Sequence, residues 1–531
     1  MRIPSLQSIK ENWRADLAAA VSVSFIAIPQ ALAYATMAGL PPYIGLYATS
    51  IPTFFAAFFS TSRVLSTGPV AIISLLTAAS LSQLGTTDPV QILTAAAILS
   101  ILVGIFQIVL GLVRAGTVIN FIAHPVLSGF TTAAAFIIWF SQVPKLLGIT
   151  VSNHAHFYQI FIETIRNLSQ IDASTAFIGM GSIFALMLFK KLMPKAPAAL
   201  LVVVAGTLMS MVMQYSGPIV GNVPNGFEFF DVKNLLGFDA SNLVVNAFVI
   251  AVVGFVSGIS IVKSLAIHTR DKVNPNKELF AQGAANISSG LVGSFPVAGS
   301  VSRTALNMNA GAKTRMSSMF LGIISILVML FFTPYLYHLT YASLAAIIMV
   351  AVFELIDFKE IFRLLKSQPR DGAVAAITLG STLLFAPHLD IGILIGIGAS
   401  VLAHMHRSAT PHMEIFFCHD VDYLHSHNYQ LKTYPSNEKV LGVSIHSSLS
   451  FANASLIYEK IMNELSSQKK KPKYILLIAS SIGEIDSSAE KILLDLHADL
   501  KEEKIQLLFA GIRSHVEESL RKTEFYEFVG G

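Results

Sequence analysis

The residues best placed to do chemistry in this chain are gathered in Gly299-Ser300-Val301-Ser302-Arg303-Thr304-Ala305, between two strongly apolar runs. At a membrane's depth the guanidinium of Arg303 needs a partner, because an arginine near the bilayer centre costs roughly 3 kcal/mol on insertion scales unless something compensates it. The usual partner is a carboxylate on a neighbouring span, yet the apolar stretches Leu17–Ala38, Thr67–Leu84 and Ser241–Val262 contain no acid. The plainest remaining partner is a bound anion. A cation in the first turn of a helix also opposes the macrodipole, by a few tenths of a kcal/mol to about 1 kcal/mol, and an anion seated between the two removes that conflict. The bland alternative is a shallower segment from which Arg303 only reaches the aqueous face beside Lys313 and Arg315.

The elements that must hold such a site are membrane spans. The chain has 531 residues, 53% hydrophobic and 13% charged, about half the charge of an ordinary soluble protein, so it is expected to be a polytopic membrane protein. Met1–Asp16 is polar and mixed in charge and Leu17–Ala38 is long enough to span, so the first span is expected to stay in the mature protein. One cysteine, Cys418, excludes an intramolecular disulfide and a cysteine zinc cluster. The net charge of +4 is modest, no basic patch interleaved with aromatics points to nucleic acid, and Lys469-Lys470-Lys471 reads as a solvated loop. With no nucleotide-binding loop and no nucleophile constellation, neither a cofactor nor an enzymatic role is expected.

Fourteen apolar segments begin near residues 17, 44, 66, 90, 118, 172, 197, 243, 277, 300, 317, 339, 372 and 390. An even number puts both termini on one side of the membrane. The short odd-numbered connections Leu40–Ile44, Ser82–Val90, Phe332–Thr340 and Pro387–Asp390 lack Lys and Arg. The even-numbered ones carry Arg63, Arg114, Lys190, Lys191, Lys195, Lys313, Arg315 and the basic runs His268 to Lys277 and Lys359 to Arg370, so both termini are expected to be cytoplasmic. Seven plus seven segments make an inverted repeat, in which the short interrupted third, Ser66-Thr67-Gly68-Pro69-Val70-Ala71, corresponds to the short tenth, Ser300 to Ala310. Paired broken segments mark a transporter's midplane site. Pro69 suits a first helical turn, Ser66 or Thr67 and Ser300 or Ser302 suit N-caps, and two half-helices starting at mid-depth would aim free N–H groups at one cavity.

These residues carry a resemblance. Pro29-Gln30-Ala31-Leu32-Ala33-Tyr34-Ala35-Thr36-Met37-Ala38-Gly39-Leu40-Pro41-Pro42 with Gly45-Leu46-Tyr47 resembles the first-span signature of the sulfate permease (SulP) family of anion transporters. Ser66 to Ala71 resembles the family's third-segment motif, and Ser302-Arg303-Thr304-Ala305 with Ala310-Gly311-Ala312-Lys313-Thr314 its tenth. The resemblance implies the inverted-repeat fold shared with uracil permease, a core domain moving against a gate domain, and a homodimer in the lipid bilayer, expected in a bacterial inner (plasma) membrane. Carried over by position, it nominates Gln30, Tyr34, Thr67, Gly68, Val70, Ser302 and Arg303 as anion contacts. Gln30 has the rival role of bonding backbone freed by Pro29, Tyr34 of packing, and Thr67 of capping. On the eighth segment many relatives place an acid facing the site, whereas Ser257 stands there in Gly254-Phe255-Val256-Ser257-Gly258. That favours anion exchange or passive anion movement over proton or sodium coupling. Ser257 can lend a hydroxyl to substrate or ion, or serve only as a small residue for close packing.

After residues 17–406, read as the transport domain, and the linker 407–411, residues 412–531 alternate strand-like runs (Met413–Phe417, Val440–Ile445, Tyr474–Ile478, Ile505–Ala510) with helical patterns (Ala452–Leu465, Ser487–Leu500, Val516–Lys522), an α/β domain. Ser450-Phe451-Ala452-Asn453-Ala454 and Ile485-Asp486-Ser487-Ser488-Ala489 resemble the STAS domain, expected on the cytoplasmic side. Asp486 should cap a helix, with Ser487 or Ser488 as candidate phosphorylation sites or as helix-start residues only, and the resemblance allows a cytoplasmic regulatory partner. His404, His406, His412, His419, His425 and His427 match no zinc spacing, and no metal site is expected. Two further functions stay open: a nucleobase-type permease on the same fold, disfavoured by Arg303 and the lack of acids, and an anion-sensing signalling or scaffold protein with a STAS output.

Overall fold

The computed structural model describes the chain except residues 1–5, 117–123, 152–156, 194, 195, 225, 227–237, 270, 272, 419–439, 469, 524, 525 and 527–531. His419, His425 and His427 therefore lie outside the described residues. The chain divides into two compact units, Met1–Ser400 and Val401–Gly531.

In the first unit α1 (Leu6–Met37) carries Pro29 in its interior, and α2 (Ile44–Thr49) and α3 (Ile51–Phe59) are one apolar segment interrupted at Ser50. A two-residue strand β1 (Thr67–Gly68) leads into the short α4 (Ala71–Ser82), followed by α5 (Pro89–Leu112), α6 (His124–Ser141) with α7 (Val143–Leu147), α8 (Phe157–Arg166), α9 (Ala173–Leu192) and α10 (Ala198–Val212). The second half runs α11 (Val244–Thr269), α12 (Pro275–Leu291), β2 (Ala298–Gly299), α13 (Val301–Asn309), α14 (Met316–Phe331), α15 (Tyr341–Phe353), α16 (Phe358–Ser367), α17 (Pro369–Phe385) and α18 (Leu389–Ala409). The last helix continues through Arg407, Ser408 and Ala409, within the stretch read as a linker.

Among the described residues seven helical stretches are long and apolar enough to cross a membrane, and four shorter apolar helices accompany them. The remaining members of the fourteen are α12, α13 and α17. α12 is too polar for a hydropathy reading, since it buries Gln282, Asn286, Ser288 and Ser289; α13 is a half-helix of 9 residues. The seven-plus-seven repeat shows in the equivalent units β1–α4 and β2–α13, each a two-residue strand feeding a short helix. The two strands pair antiparallel, Thr67 opposite Gly299 and Gly68 opposite Ala298.

Packing sorts the helices into two groups. α12 lies against α3 and α5, α11 against α5, and α14 against α1 and α3; in the second group α6 lies against α17, and α9 against α10 and α15. Between the groups α1 touches α10 and α15, and α4 touches α6. The first group is tight because small residues let backbones meet: a Cβ on Gly104 of α5 would fall 2.6 Å from the Gly283 carbonyl of α12, and one on Gly283 would fall 2.8 Å from the Gly104 carbonyl.

The second unit is a four-stranded sheet in the order β3 (Met413–Cys418), β4 (Val440–Ile445), β5 (Tyr474–Ile478), β6 (Gln506–Ala510). β3 is antiparallel to β4 and the others are parallel. Every residue of β4 is buried, as a strand covered on both faces requires. α19 (Ala454–Ser467), α20 (Ser487–Glu502) and α21 (Ser514–Leu520) contribute Ile457, Ile461, Leu493, Leu496 and Val516 to its core.

Candidate functional site

The crossing of β1 and β2 sets the site. Ser300 N donates to Ser66 O at 3.0 Å and Ser66 N to Thr304 Oγ1 at 3.1 Å, so the two motifs are bonded to each other twice at the Ser66 end of the strand pair. This pairing corrects the expected caps. Ser66 precedes β1, Thr67 belongs to it, and Pro69 sits outside the first helical turn; the N-cap of α4 is Val70, extended at φ −138° and ψ 149°, which has no side-chain acceptor. Tertiary pairing in the strand outweighs local capping preference here, and the first-turn N–H groups of α4 are left without a side-chain cap. On α13 the N-cap is Ser300, whose Oγ accepts from Arg303 N at 3.4 Å, while Ser302 lies inside the first turn, exposed beside Val301.

Arg303 is only 1% exposed. Its Nη2 donates to the Pro69 carbonyl at 2.9 Å, and its Nε and Nη1 find no acceptor among the described residues. Gly68 makes that approach possible, because a Cβ there would stand 2.8 Å from Nη1 and 3.1 Å from Nη2. The shallow, solvent-reaching alternative for Arg303 is thereby removed. The structure brings together Arg303, Gly68, Thr67, Val70 and, within electrostatic reach of the guanidinium, the buried Tyr34 of α1. Gln30 is half-buried one turn before Tyr34, and i and i+4 share a helix face. Thr67 Oγ1 accepts from Gln282 Nε2 at 2.9 Å and its carbonyl accepts from Thr53 Oγ1 at 2.8 Å, so this hydroxyl has a protein partner. Ser257 is half-buried on α11, next to Gly258, which lies against Gly299 of β2.

A polar chain that the motifs do not include holds this arrangement. Asn286 Oδ1 accepts from Val297 N at 2.8 Å, and its Nδ2 lies 3.1 Å from Val297 O, 2.9 Å from Gln107 Oε1 and 3.1 Å from Gln282 O. Gln107 Nε2 in turn donates to Ala251 O at 3.1 Å. Three helices are thus clamped to the residue preceding β2. The available signal was Gln282 and Asn286, four residues apart in a helix at membrane depth, where an unpaired amide is costly.

Two buried carboxylates of the same helix group are occupied by protein donors. Asp16 accepts from Lys313 N at 2.7 Å and Thr314 N at 3.0 Å. Glu278 accepts from Ser60 Oγ, Thr61 N and Oγ1, and Ser62 N, which fixes the turn leading to β1. In the second unit Asp486 caps α20 by accepting from Ala489 N at 2.8 Å and also accepts from Phe451 N at 2.8 Å; Ser487 and Ser488 are exposed in the first turn.

Residues 13–378 match the model of the Sulfate permease family and residues 432–530 that of the STAS domain. The chain is 32% identical to "Sulfate transporter 4.1, chloroplastic" of Arabidopsis thaliana over 98% of this chain and 78% of that protein, and 29% identical to "Probable sulfate transporter MT1781" of Mycobacterium tuberculosis over 99% and 94%. Its fold is similar to that of the murine anion transporter Slc26a9 in the inward-facing state, with a TM-score of 0.86 at 22% identity over 97% of this chain and 88% of that one. The transmembrane domain of the cyanobacterial bicarbonate transporter BicA gives 0.64 at 23% identity over 73% and 97%.

Proposed function

The chain belongs to the sulfate permease family, and from that premise we propose that it is a secondary transporter or exchanger of small anions, sulfate by default, with the anion bound between the N-termini of α4 and α13. The observation that carries this reading is the buried guanidinium of Arg303, whose Nε and Nη1 find no acceptor among the described residues, beside a helix start without a side-chain cap. A charged donor left unpaired at that depth is costly, and an anion accepting from Nε, Nη1 and the first-turn amides of α4 repays it. Bicarbonate, chloride and dicarboxylates present the same acceptor chemistry.

Anion exchange fits better than cation coupling. Ser257 stands where a coupling acid would be, and Asp16 and Glu278 already accept several protein hydrogen bonds each. Alternating access would move the first helix group against the second, with the loop charges orienting both termini to the cytoplasm. In support, three hydrogen bonds among the described residues join the two sides at one end of the helices: Lys145 Nζ to Thr36 O at 3.4 Å, Gln83 Nε2 with His388 Nδ1 at 3.2 Å, and Tyr47 Oη to Gly226 O at 2.9 Å, the last reaching the loop that pairs with the start of α15.

The test is uptake of labelled sulfate into proteoliposomes with and without internal anion, and with an imposed proton or sodium gradient. Acceleration by internal anion alone supports exchange, and acceleration by a cation gradient alone refutes it. Arg303→Ala should abolish most anion binding in a protein that still folds and inserts; unchanged binding rejects the site.

A further inference from the structure

Two helices of the second group do not cross the membrane. α16 joins the twelfth and thirteenth segments and α8 the fifth and sixth, so the two are seven segments apart and occupy equivalent places in the inverted repeat, at opposite faces. α16 is tethered closely: Gln368 is at once its C-cap and the N-cap of α17, and four residues, 354–357, separate it from α15. A helix tied at both ends to membrane spans by such short links stays at the membrane boundary.

Its sequence suits that position. At 3.6 residues per turn the apolar residues of Phe358–Ser367 fall within one arc of about 160°, and Lys359, Arg363 and Lys366 within another of about 60° beside it. Ile361 is buried, where α16 packs on α6 and α17, while Phe358, Phe362 and Leu365 are 41%, 70% and 38% exposed. Such an uncovered aromatic strip, flanked by exposed lysines and continuous with spans on both sides, is the pattern of a helix lying in the interface. Arg363 is paired with Glu360 at 2.6 Å, which leaves Lys359 and Lys366 as the exposed cations bordering Phe362. On α8, Tyr158, Ile162 and Ile165 are likewise exposed on one face, and Phe161 rests its ring 4.7 Å from that of Phe140 on α6; its single acid and single base, Glu163 and Arg166, give no charge preference.

We propose that α16 is an in-plane anchor seated on anionic phospholipid headgroups, with its phenylalanines in the acyl region, and that α8 is its net-neutral counterpart on the opposite face. Together they hold the second helix group at fixed depth. The headgroup preference should be about fivefold for each lysine.

The test uses the full chain with Cys418→Ser and a fluorophore on Phe362→Cys, reconstituted in phosphatidylcholine vesicles containing brominated phosphatidylglycerol or, separately, brominated phosphatidylcholine. Strong quenching by both bromolipids, stronger by the anionic one, with little quenching by aqueous iodide and no change when sulfate is added, is the expected result. Lys359→Gln with Lys366→Gln should abolish the difference between the two lipids. Dominant iodide quenching, or protection from iodide and lipid alike, overturns the anchor, the second by showing that protein covers this face. Equal quenching by the two lipids before the lysines are changed overturns the anionic preference, and a depth change on adding sulfate overturns the fixed position. Leu365→Cys serves as the second labelling site where Phe362→Cys fails to fold, and Tyr158→Cys reports the other face.

Discussion

Gly68→Ala tests the site with the smallest perturbation that reaches it. The substitution adds one methyl group, and the three atoms nearest its new Cβ would all belong to the flexible end of Arg303, 2.8 Å from Nη1, 3.1 Å from Nη2 and 3.3 Å from Cζ. Reaching an ordinary contact of about 3.4 Å moves the guanidinium by about 0.6 Å. That shift breaks or bends the 2.9 Å bond from Nη2 to Pro69 O and misaligns Nε and Nη1 for any ligand. A hydrogen bond to a charged group is worth about 1.5 to 3 kcal/mol, so anion affinity should fall by roughly 10- to 150-fold, with a much smaller change in folding stability. Titration calorimetry with sulfate, and with bicarbonate in parallel, measures the first quantity; the thermal midpoint in detergent measures the second. Wild-type affinity in a folded Gly68→Ala protein would refute the placement of the anion at Arg303. A large drop in thermal midpoint would instead show that the motif only joins the two half-helices.

Asn286→Ala leaves Val297 N–H and its carbonyl unpaired in a buried place and should destabilise the first unit by about 3 kcal/mol, seen as a lower thermal midpoint. Glu278→Gln loses acceptors for the donors of residues 60–62 and should cost about 2 kcal/mol in the same assay while leaving the proton and sodium dependence of uptake unchanged. A lost proton dependence would make Glu278 a coupling residue. Lys145→Met removes one of the bonds between the helix groups, worth about 1 kcal/mol, and should raise the opposite-facing population about fivefold, measured by labelling of Val301→Cys in a Cys418→Ser background with an impermeant thiol reagent.

Much of this fold was legible because it depends on local pattern. Residues Val440–Ile445 and Tyr474–Ile478 form strands with the bounds their β-branched runs suggest, and Asp486 caps its helix as its spacing to Ala489 requires. Arg303 stood out because a charge among apolar residues demands an explanation. What stayed hidden depends on distant partners. Gln107 and Asn286 meet across 179 residues, so nothing near either one announces the bond. Ser66 and Thr67 look like caps until β2 arrives to pair with that stretch. α8 and α16 hide within connections because each has 10 residues, too few to span, and in α16 the charged face also lowers the mean hydropathy.

The guanidinium at the strand crossing, which has no carboxylate partner among the described residues, has an electrical consequence. Asp16 and Glu278 are bound elsewhere, so on the proposed reading the site without anion would carry a charge of about +1, a monovalent anion would bring it to about zero and a divalent one to about −1. Each elementary charge that crosses the full membrane field exchanges about 2.3 kcal/mol per 100 mV. An inside-negative potential would therefore favour the inward position of the empty carrier, leave a chloride- or bicarbonate-loaded one indifferent, and push a sulfate-loaded one outward. The valence of the cargo alone would decide whether turnover generates current, and in which direction.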